Sequence, residues 1–385
     1  MKRIFLMTAA LTATMFASCD KTGNPGDDPI EGKAAKLNIE IATPALSKAA
    51  YTTTPPTDAI TNYSVFVTDQ SDEIRWKQHI NSGSNVSDMS VTTMAKHVYV
   101  VANHGSDLTR SVATMAQLNA VIADLNGPAT SNGAQTEARW ASGNTTTPLS
   151  FTRSGSTFSA GAVVPLEFIA TRITVKIVNS MSPAYDAAKT DGSLVLNRVS
   201  VLNARGQSKL FGTSLIPGTY TAGKKFYEGM ANPSPTGFAY YPAAADYTMA
   251  STGRLSDAIP ANDFATQYVY YVFENDADQA AEFPTIVVLE GTFDGAPVYY
   301  PVHLTPYEQW SSVNGGPVNP SIVGNITVTR SKSLDIVITL TGDPTHGGDG
   351  PGGMSDPTKP VEVNAQVDIA IGLLPWQPVT LGKEF

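Results

Sequence analysis

Cysteine is nearly absent from this chain of 385 residues, which contains one, Cys19. A single cysteine excludes intrachain disulfides and any metal site built from several thiolates. Charged residues are also scarce, at 15% of the sequence, and the formal net charge is −9. An acidic chain is a poor partner for nucleic acid or for an anionic membrane surface. We therefore expect no nucleic-acid partner.

Motifs for catalysis and for cofactor binding are missing as well. The sequence contains no HExxH, no CxxC, no GxxxxGK[ST] phosphate loop, no EF-hand loop and no GxSxG elbow. The paired carboxylates Asp27 and Asp28 lie in a polar, low-complexity stretch and are expected to be solvated. The sequence therefore predicts a protein that is not an enzyme, with no catalytic residues, no metal site and no cofactor.

The N-terminal sequence gives the single cysteine a role. Residues 1–18 begin with the basic Lys2 and Arg3, continue as an apolar run and end in small residues directly before Cys19. This pattern is typical of a secretory signal peptide with a lipobox. We expect Cys19 to be acylated and to anchor the exported protein to a membrane. An ordinary signal peptide with an incidental cysteine is the alternative, and no other segment has the apolar length of a transmembrane helix.

Two distant stretches share a period of two, which is typical of strands with one buried face. In Lys36 to Thr43 the apolar residues are Leu37, Ile39 and Ile41. The second stretch, Val361 to Phe385, follows a Gly/Pro/Asp-rich run that we interpret as a tether. A one-sided strand on a tether is a candidate for pairing with another chain. Its apolar residues are Val361, Val363, Ala365, Val367, Ile369, Ile371 and Leu373, with Trp376 expected to pack the strand into a groove.

The rest of the chain favours strands over helices, because Thr, Ser, Val and Tyr are frequent and many turn residues separate short apolar runs. One helix is predicted, over Ser111 to Leu125, from apolar residues at helical spacing. The length predicts two domains, and the strand spacing predicts antiparallel β-sandwiches. Predicted strands include Tyr63 to Thr68, His97 to Ala102, Val163 to Val178, Leu194 to Leu202, Tyr268 to Phe273, Thr285 to Leu289, Val298 to Leu304, Ile322 to Thr329 and Leu334 to Leu340.

The order of these features resembles that of the FimA-like fimbrillins, the type V pilins of Gram-negative oral and gut bacteria. The resemblance covers nearly the whole chain. It implies a mainly β fold with two transthyretin-like β-sandwich domains. It also implies lipoprotein export and removal of the first strand by a trypsin-like protease at the outer membrane. A strand from the next subunit then fills the emptied groove. The most specific motifs are VYVVAN at Val98, TRITVK at Thr171 and LLPW at Leu373, and the strand VYYPV at Val298 also fits.

The resemblance assigns roles to segments of this sequence. It makes Lys36 to Thr43 the displaced strand, Lys48 the processing site, and Val361 to Phe385 the donor strand. Well-known relatives are cut after Arg, whereas no Arg lies between Cys19 and Arg75. Three readings stay open: Lys48 replaces the arginine, the protease differs, or the subunit stays uncut as an anchor. On its local sequence alone, Lys48 reads as an ordinary exposed lysine.

These expectations define five segments and one function. The segments are a signal peptide (1–18), a lipidated propeptide with the removable strand (19–50), two sandwich domains (51–168 and 169–341), and a tether with the donor strand (342–385). The expected function is that of a fimbrial subunit that polymerises with its own copies and related subunits, and supports adhesion or biofilm formation. The alternative is a surface lipoprotein that binds a ligand or glycan, with the aromatic residues of Tyr268 to Phe273 either lining a sugar site or packing in a core.

Overall fold

The computed structural model of this protein describes residues 32–42, 60–82, 85–125, 140–179, 194–212, 215–230, 241–250, 255–260, 263–275, 283–293, 296–304, 328–340 and 365–373. Strands dominate these residues, so the predicted mainly β fold is confirmed. The strands form two pairs of facing sheets and one small separate sheet.

The first sandwich packs a four-stranded sheet, in the order β4-β1-β9-β8, against a five-stranded sheet, in the order β10-β7-β5-β2-β3. One buried apolar cluster joins the two sheets and includes Leu37, Val65 and Val100. The strands are β1 (Ala34–Ala42), β2 (Tyr63–Thr68), β3 (Ile74–Ile80), β4 (Val86–Thr92), β5 (Val98–Ala102), β6 (Ile122–Asp124), β7 (Ala141–Asn144), β8 (Thr152–Ser154), β9 (Thr157–Pro165) and β10 (Glu167–Phe168). Of these, β6 lies outside both sheets.

The second sandwich packs a seven-stranded sheet, β16-β15-β13-β18-β11-β21-β22, against a four-stranded sheet, β17-β12-β19-β20. Its strands are β11 (Ala170–Asn179), β12 (Leu194–Leu202), β13 (Ala204–Arg205), β14 (Gln207–Lys209), β15 (Phe226–Glu228), β16 (Tyr247–Met249), β17 (Ser256–Ala258), β18 (Gln267–Phe273), β19 (Thr285–Phe293), β20 (Ala296–Leu304), β21 (Lys332–Leu340) and β22 (Ala365–Leu373). The separate sheet pairs β14 with β6, so it joins the two sandwiches.

The sandwiches are not purely antiparallel, which differs from the expectation. Strand β1 runs parallel to β9, and β11 runs parallel to β21. The strand region predicted over Val163 to Val178 contains the end of β9, the short β10 and most of β11. The chain therefore passes from the first sandwich to the second within this segment, at Ile169 between β10 and β11.

The helix predicted over Ser111 to Leu125 is wrong in its extent. The structure has a 3₁₀ helix at Leu108–Arg110 and a single α-helix, α1, at Met115–Asn119 within the described residues. Thr114 caps α1, and Gln117 completes a capping box. Three of the six apolar residues in the predicted helix, Val112, Leu118 and Leu125, are buried in the core shared with the second sandwich, so packing overrides local propensity.

The two sandwiches are joined by a contact that we call the domain seam, centred on the β6–β14 pair. The backbone N–H of Leu125 extends this ladder by donating to the carbonyl oxygen of Gly206 at 2.8 Å. Asp124 on β6 accepts hydrogen bonds from Lys224 and from the Tyr227 hydroxyl, the latter at 3.0 Å. Because the same apolar cluster contains buried residues of both sandwiches, the seam is a packed core rather than a loose linker.

Candidate functional site

Strand β1 lies inside its sheet, between β4 on one side and β9 on the other. Leu37 is 0% exposed and Ile39 is 1% exposed, while Ile41 is half-buried. The polar residues between them, Lys36, Asn38 and Glu40, are exposed. The expected one-sided pattern is therefore present, with both of its backbone edges occupied by neighbouring strands.

The contact between β1 and β4 contains an irregularity. The register shifts between Leu37 and Ile39, and opposite this point Asp88 of β4 has a left-handed φ of 55°. The Asn38 side chain spans the irregularity, because its Oδ1 accepts the Asp88 N–H at 2.9 Å. The Asn85 Oδ1 similarly accepts the N–H of Ile41 at 3.1 Å. Side-chain acceptors thus complete the hydrogen bonding where the ladder is disturbed.

The backbone of the predicted donor strand is described from Ala365 to Leu373, as β22 at the edge of the seven-stranded sheet. It pairs antiparallel with β21 of its own chain, with Val367, Ile369 and Ile371 opposite Ile338, Ile336 and Leu334. These three β21 residues are buried. The apolar phase of the segment therefore coincides with the buried phase of its neighbour, as cross-strand partners share a face.

Several predicted site residues lie outside the described residues. The lipidation candidate Cys19 and the processing candidate Lys48 are among them, as are Val361, Val363 and Trp376 at the two ends of the predicted donor strand. The displaced strand is described in full, apart from Thr43, and so is the central part of the donor strand. The structure thus places Leu37, Ile39 and Ile41 in the groove between β4 and β9, which we call the β1 groove.

Ser64, His79 and Asp107 meet near β2 and β3, in a grouping that contains the residue types of a hydrolase triad. The Ser64 Oγ lies 2.9 Å from His79 Nδ1, and the Asp107 Oδ1 lies 3.8 Å from the same nitrogen. A triad places serine and carboxylate on opposite ring nitrogens, whereas here Nε2 contacts Asn81 at 2.9 Å. Ser64 is 1% exposed. The grouping has neither the geometry nor the access for acyl transfer.

The aromatic residues of β18 do not form an open sugar site. Tyr268, Tyr270, Tyr271 and Phe273 are between 0% and 7% exposed and belong to the core of the second sandwich. Burial raises the pKa of Tyr268 and of Tyr270. Their packing favours the core interpretation over the glycan-binding one.

A cavity of about 270 Å³ opens at the domain seam, between β7 and the segment around Leu210. The Ser142 hydroxyl donates to the Leu210 carbonyl at 2.8 Å across it. Arg330 donates to the Lys209 carbonyl at 2.6 Å, and its carboxylate neighbour Glu274 lies 3.9 Å away. Burial lowers the pKa of Arg330. The hydrogen bonds of Ser142 and Arg330 stabilise the domain seam. No local sequence pattern predicted these contacts.

Glu228 on β15 is a buried carboxyl that the sequence analysis missed. It is 0% exposed, and its Oε2 accepts the N–H of Asn203 at 2.8 Å. Burial raises its pKa well above the usual value of 4.5, and the hydrogen bond from Asn203 opposes this only in part.

Within the described residues, no group of three His, Cys, Asp or Glu side chains could hold a metal ion. No helix of the described part has both the length and the apolarity to cross a membrane.

Comparison with known protein families covers both sandwiches. The family model of the FimA-like major fimbrial subunit protein, C-terminal domain, matches residues 170–376. The model of the major fimbrial subunit protein FimA matches residues 35–166. No curated protein sequence gives a significant match. The two matches together cover both β-sandwiches and the inner strand β1. The chain belongs to the FimA-like fimbrial subunit family, whose members are structural subunits that assemble with one another into cell-surface fimbriae.

Solved structures support the same fold. A candidate cell adhesion protein from Bacteroides eggerthii DSM 20697 superimposes with a TM-score of 0.65 at 23% identity, covering 91% of this chain and 98% of the other. A fimbrilin from Porphyromonas gingivalis W83 gives 0.58 at 18% identity, with coverages of 89% and 98%. A candidate cell adhesion protein from Parabacteroides distasonis ATCC 8503 gives 0.52 at 16% identity, with coverages of 88% and 98%. The sandwich architecture is therefore shared across widely diverged sequences.

Proposed function

We propose that this chain is a polymerising stalk subunit of a cell-surface fimbria, exported as a lipoprotein, processed by a trypsin-like protease and joined to its neighbours by strand exchange. The resulting fibre supports adhesion or biofilm formation. The observation that carries the proposal is the position of β1. An inner strand with both edges paired leaves a complete groove when it is removed, and a second segment of the chain has the same apolar phase.

Removal of β1 exposes apolar surface that only another strand can cover well. Leu37 and Ile39 are fully buried, and each contributes roughly 1.5–3 kcal/mol through burial. The backbone groups of β4 and β9 that face β1 also lose their partners. A processed subunit is therefore primed to accept a strand of the same length and phase, and the strand from Val361 to Phe385 of a second copy fits this need.

The donor role is tested by placing charges on the apolar phase of the C-terminal strand. Val367→Asp combined with Ile369→Asp is expected to abolish polymerisation, because two carboxylates without partners are strongly unfavourable in an apolar groove. Gln366→Asp, in the polar phase, is the matched control and is expected to polymerise normally. The measurement is the ladder of high-mass species in denaturing gels run without boiling.

Two results of that experiment would contradict the donor role. Equal ladders from the double variant and the control would show that this face does not join subunits. A double variant that is neither folded nor exported would show that the strand is an obligatory part of its own sandwich, where it pairs with β21.

Anchoring and processing are tested together by mass spectrometry of the N-terminus. The precursor is expected to begin at an acylated Cys19, because a lipobox precedes it. Subunits purified from fibres are expected to begin at or near Ala49, directly after Lys48, which lies between β1 and β2 in the sequence. Fibre subunits that still contain Leu37 and Ile39 would contradict processing and would identify this chain as an uncut anchor.

A further inference from the structure

We propose that the C-terminal strand of a second copy of this chain enters the β1 groove in one fixed register, with Ala365 to Gly372 taking the positions of Ala35 to Ala42. This inference rests on the proposed strand exchange and adds the register and the residue that selects it. The two segments read AKLNIEIA and AQVDIAIG, so they match in their apolar positions and at a polar position in the middle.

The apolar positions of the groove accept the donor in this register without a change of face. Val367, Ile369 and Ile371 replace Leu37, Ile39 and Ile41, all branched aliphatic side chains. At one end of the groove β1 places a small side chain, because the buried Ala35 lies opposite the larger Val91 of β4 and Phe158 of β9. Ala365 supplies the same small side chain there.

The polar position supplies the residue that selects the register. Asn38 accepts the N–H of Asp88 at 2.9 Å, at the irregularity where the register of β1 and β4 shifts. In the proposed register Asp368 stands in the place of Asn38. An ionised aspartate is an acceptor of the same length, so it can take over the Asp88 N–H. The groove thus recognises one polar side chain of the donor, Asp368, in addition to its row of apolar side chains.

Registers shifted by two residues keep the apolar face but lose the other matches. A shift in one direction puts Val363 in the place of Ala35, the small Ala365 in the place of the buried Leu37, and Gln366 opposite Asp88. The opposite shift crowds the position of Ala35 with Val367 and puts Ala370, which has no acceptor, opposite Asp88. The proposed register combines a small residue, a full row of branched aliphatic residues and a short acceptor.

Disulfide trapping measures the register directly. Lys36 lies opposite Ser90 of β4, and both side chains are exposed. Directly opposite residues have Cβ atoms about 4.5–5.5 Å apart, near the range that a disulfide needs. Gln366→Cys combined with Ser90→Cys reports the proposed register, whereas Asn364→Cys or Asp368→Cys with Ser90→Cys reports the two shifted ones. The native sequence has one cysteine, Cys19, and single variants measure its background.

The expected result is a ladder of covalent oligomers for the Gln366→Cys and Ser90→Cys pair, which survives boiling without reductant and collapses with it. A ladder from the Asn364→Cys or Asp368→Cys pair instead would leave strand exchange standing and overturn the register. Fibres in which none of the pairs crosslinks would overturn both, because the donor would lie elsewhere. A disulfide confined to monomers would mean that each chain fills its own groove.

The role of Asp368 has its own test with a conservative rescue. Asp368→Ala removes the acceptor and is expected to lower the temperature at which fibres dissociate in detergent. Asp368→Asn keeps an acceptor of the same length and is expected to restore it, and Gln366→Ala is the control in the same phase. Equal dissociation temperatures for Asp368→Ala and Asp368→Asn would overturn the assignment.

Discussion

Glu228 shows how a single buried side chain ties the stability of this subunit to pH. Its carboxyl is fully buried on β15, and burial raises its pKa well above 4.5. The folded protein therefore holds the Glu228 proton more tightly than the unfolded chain does. The stabilisation is present below the unfolded pKa and is lost as the pH rises toward the folded pKa.

This asymmetry predicts the effect of Glu228→Gln. The variant keeps a neutral group at the site, so its free energy of unfolding is expected to lack the component that falls as pH rises above about 4.5, a loss of up to about 1.4 kcal/mol per pH unit. The measurement is urea unfolding of both proteins at pH 5 and pH 8. Glu40→Gln changes an exposed carboxyl and serves as control. A difference between wild type and Glu228→Gln that is the same at both pH values would contradict this reading.

At the scale of single residues, sequence patterns predicted what alternation governs and missed what tertiary contacts govern. Leu37 and Ile39 were predicted to face the core because a strand of period two leaves no other arrangement. The burial of Glu228 and the carbonyl contacts of Arg330 depend on segments far away in the sequence. Charged residues are usually exposed, so composition gave no signal for either.

In the proposed pathway, strand β1 stabilises the precursor and is absent from the fibre. Leu37→Ala is expected to lower the free energy of unfolding of the precursor by about 2–5 kcal/mol, because it removes a fully buried side chain from the first core. Lys36→Ala, on the exposed face of the same strand, is expected to change it by less than about 0.5 kcal/mol. Chemical denaturation of the uncleaved protein measures both.

The same pair of variants separates precursor from fibre. Because proteolysis removes β1 in the proposed pathway, fibres assembled from Leu37→Ala are expected to dissociate at the wild-type temperature. Fibres that are weakened by Leu37→Ala would mean that β1 stays in the assembled subunit.

Among the elements, some strands could be predicted to the residue, whereas the segment that pairs with the other sandwich could not. Tyr63 to Thr68 and Leu194 to Leu202 coincide with β2 and β12. Of the helix predicted over Ser111 to Leu125, only α1 is helical in the structure. The end of the predicted helix is strand β6, which pairs with β14 of the other sandwich. Spacing cannot distinguish apolar residues that form one helix face from those that enter a neighbouring core. The parallel pairing of β1 with β9 likewise has no local signal.

At the scale of the whole molecule, the shared core predicts that the two sandwiches unfold together. Leu118 of α1 is 0% exposed in the apolar cluster that contains residues of both sandwiches. Leu118→Ala is expected to lower the free energy of unfolding by about 2–5 kcal/mol and to keep one transition. Asn119→Ala changes an exposed neighbour on α1 and is the control. Calorimetry that resolves two transitions in the wild type, of which Leu118→Ala moves one, would contradict a shared core.

The parallel pairs determine how a fibre of such subunits would carry tension. A donor strand seated in the β1 groove lies along β9, which continues through residues 166–169 into β11. Strand β11 in turn lies parallel to β21, and β21 precedes the proposed donor strand in the sequence. Every non-covalent link on this route is a strand pulled along its own length, so its ladder is loaded in shear and all its hydrogen bonds resist at once. One continuous backbone segment, residues 157–179, connects the two ladders. This covalent connection runs alongside the domain seam, so in such a fibre the seam would not carry the axial load alone.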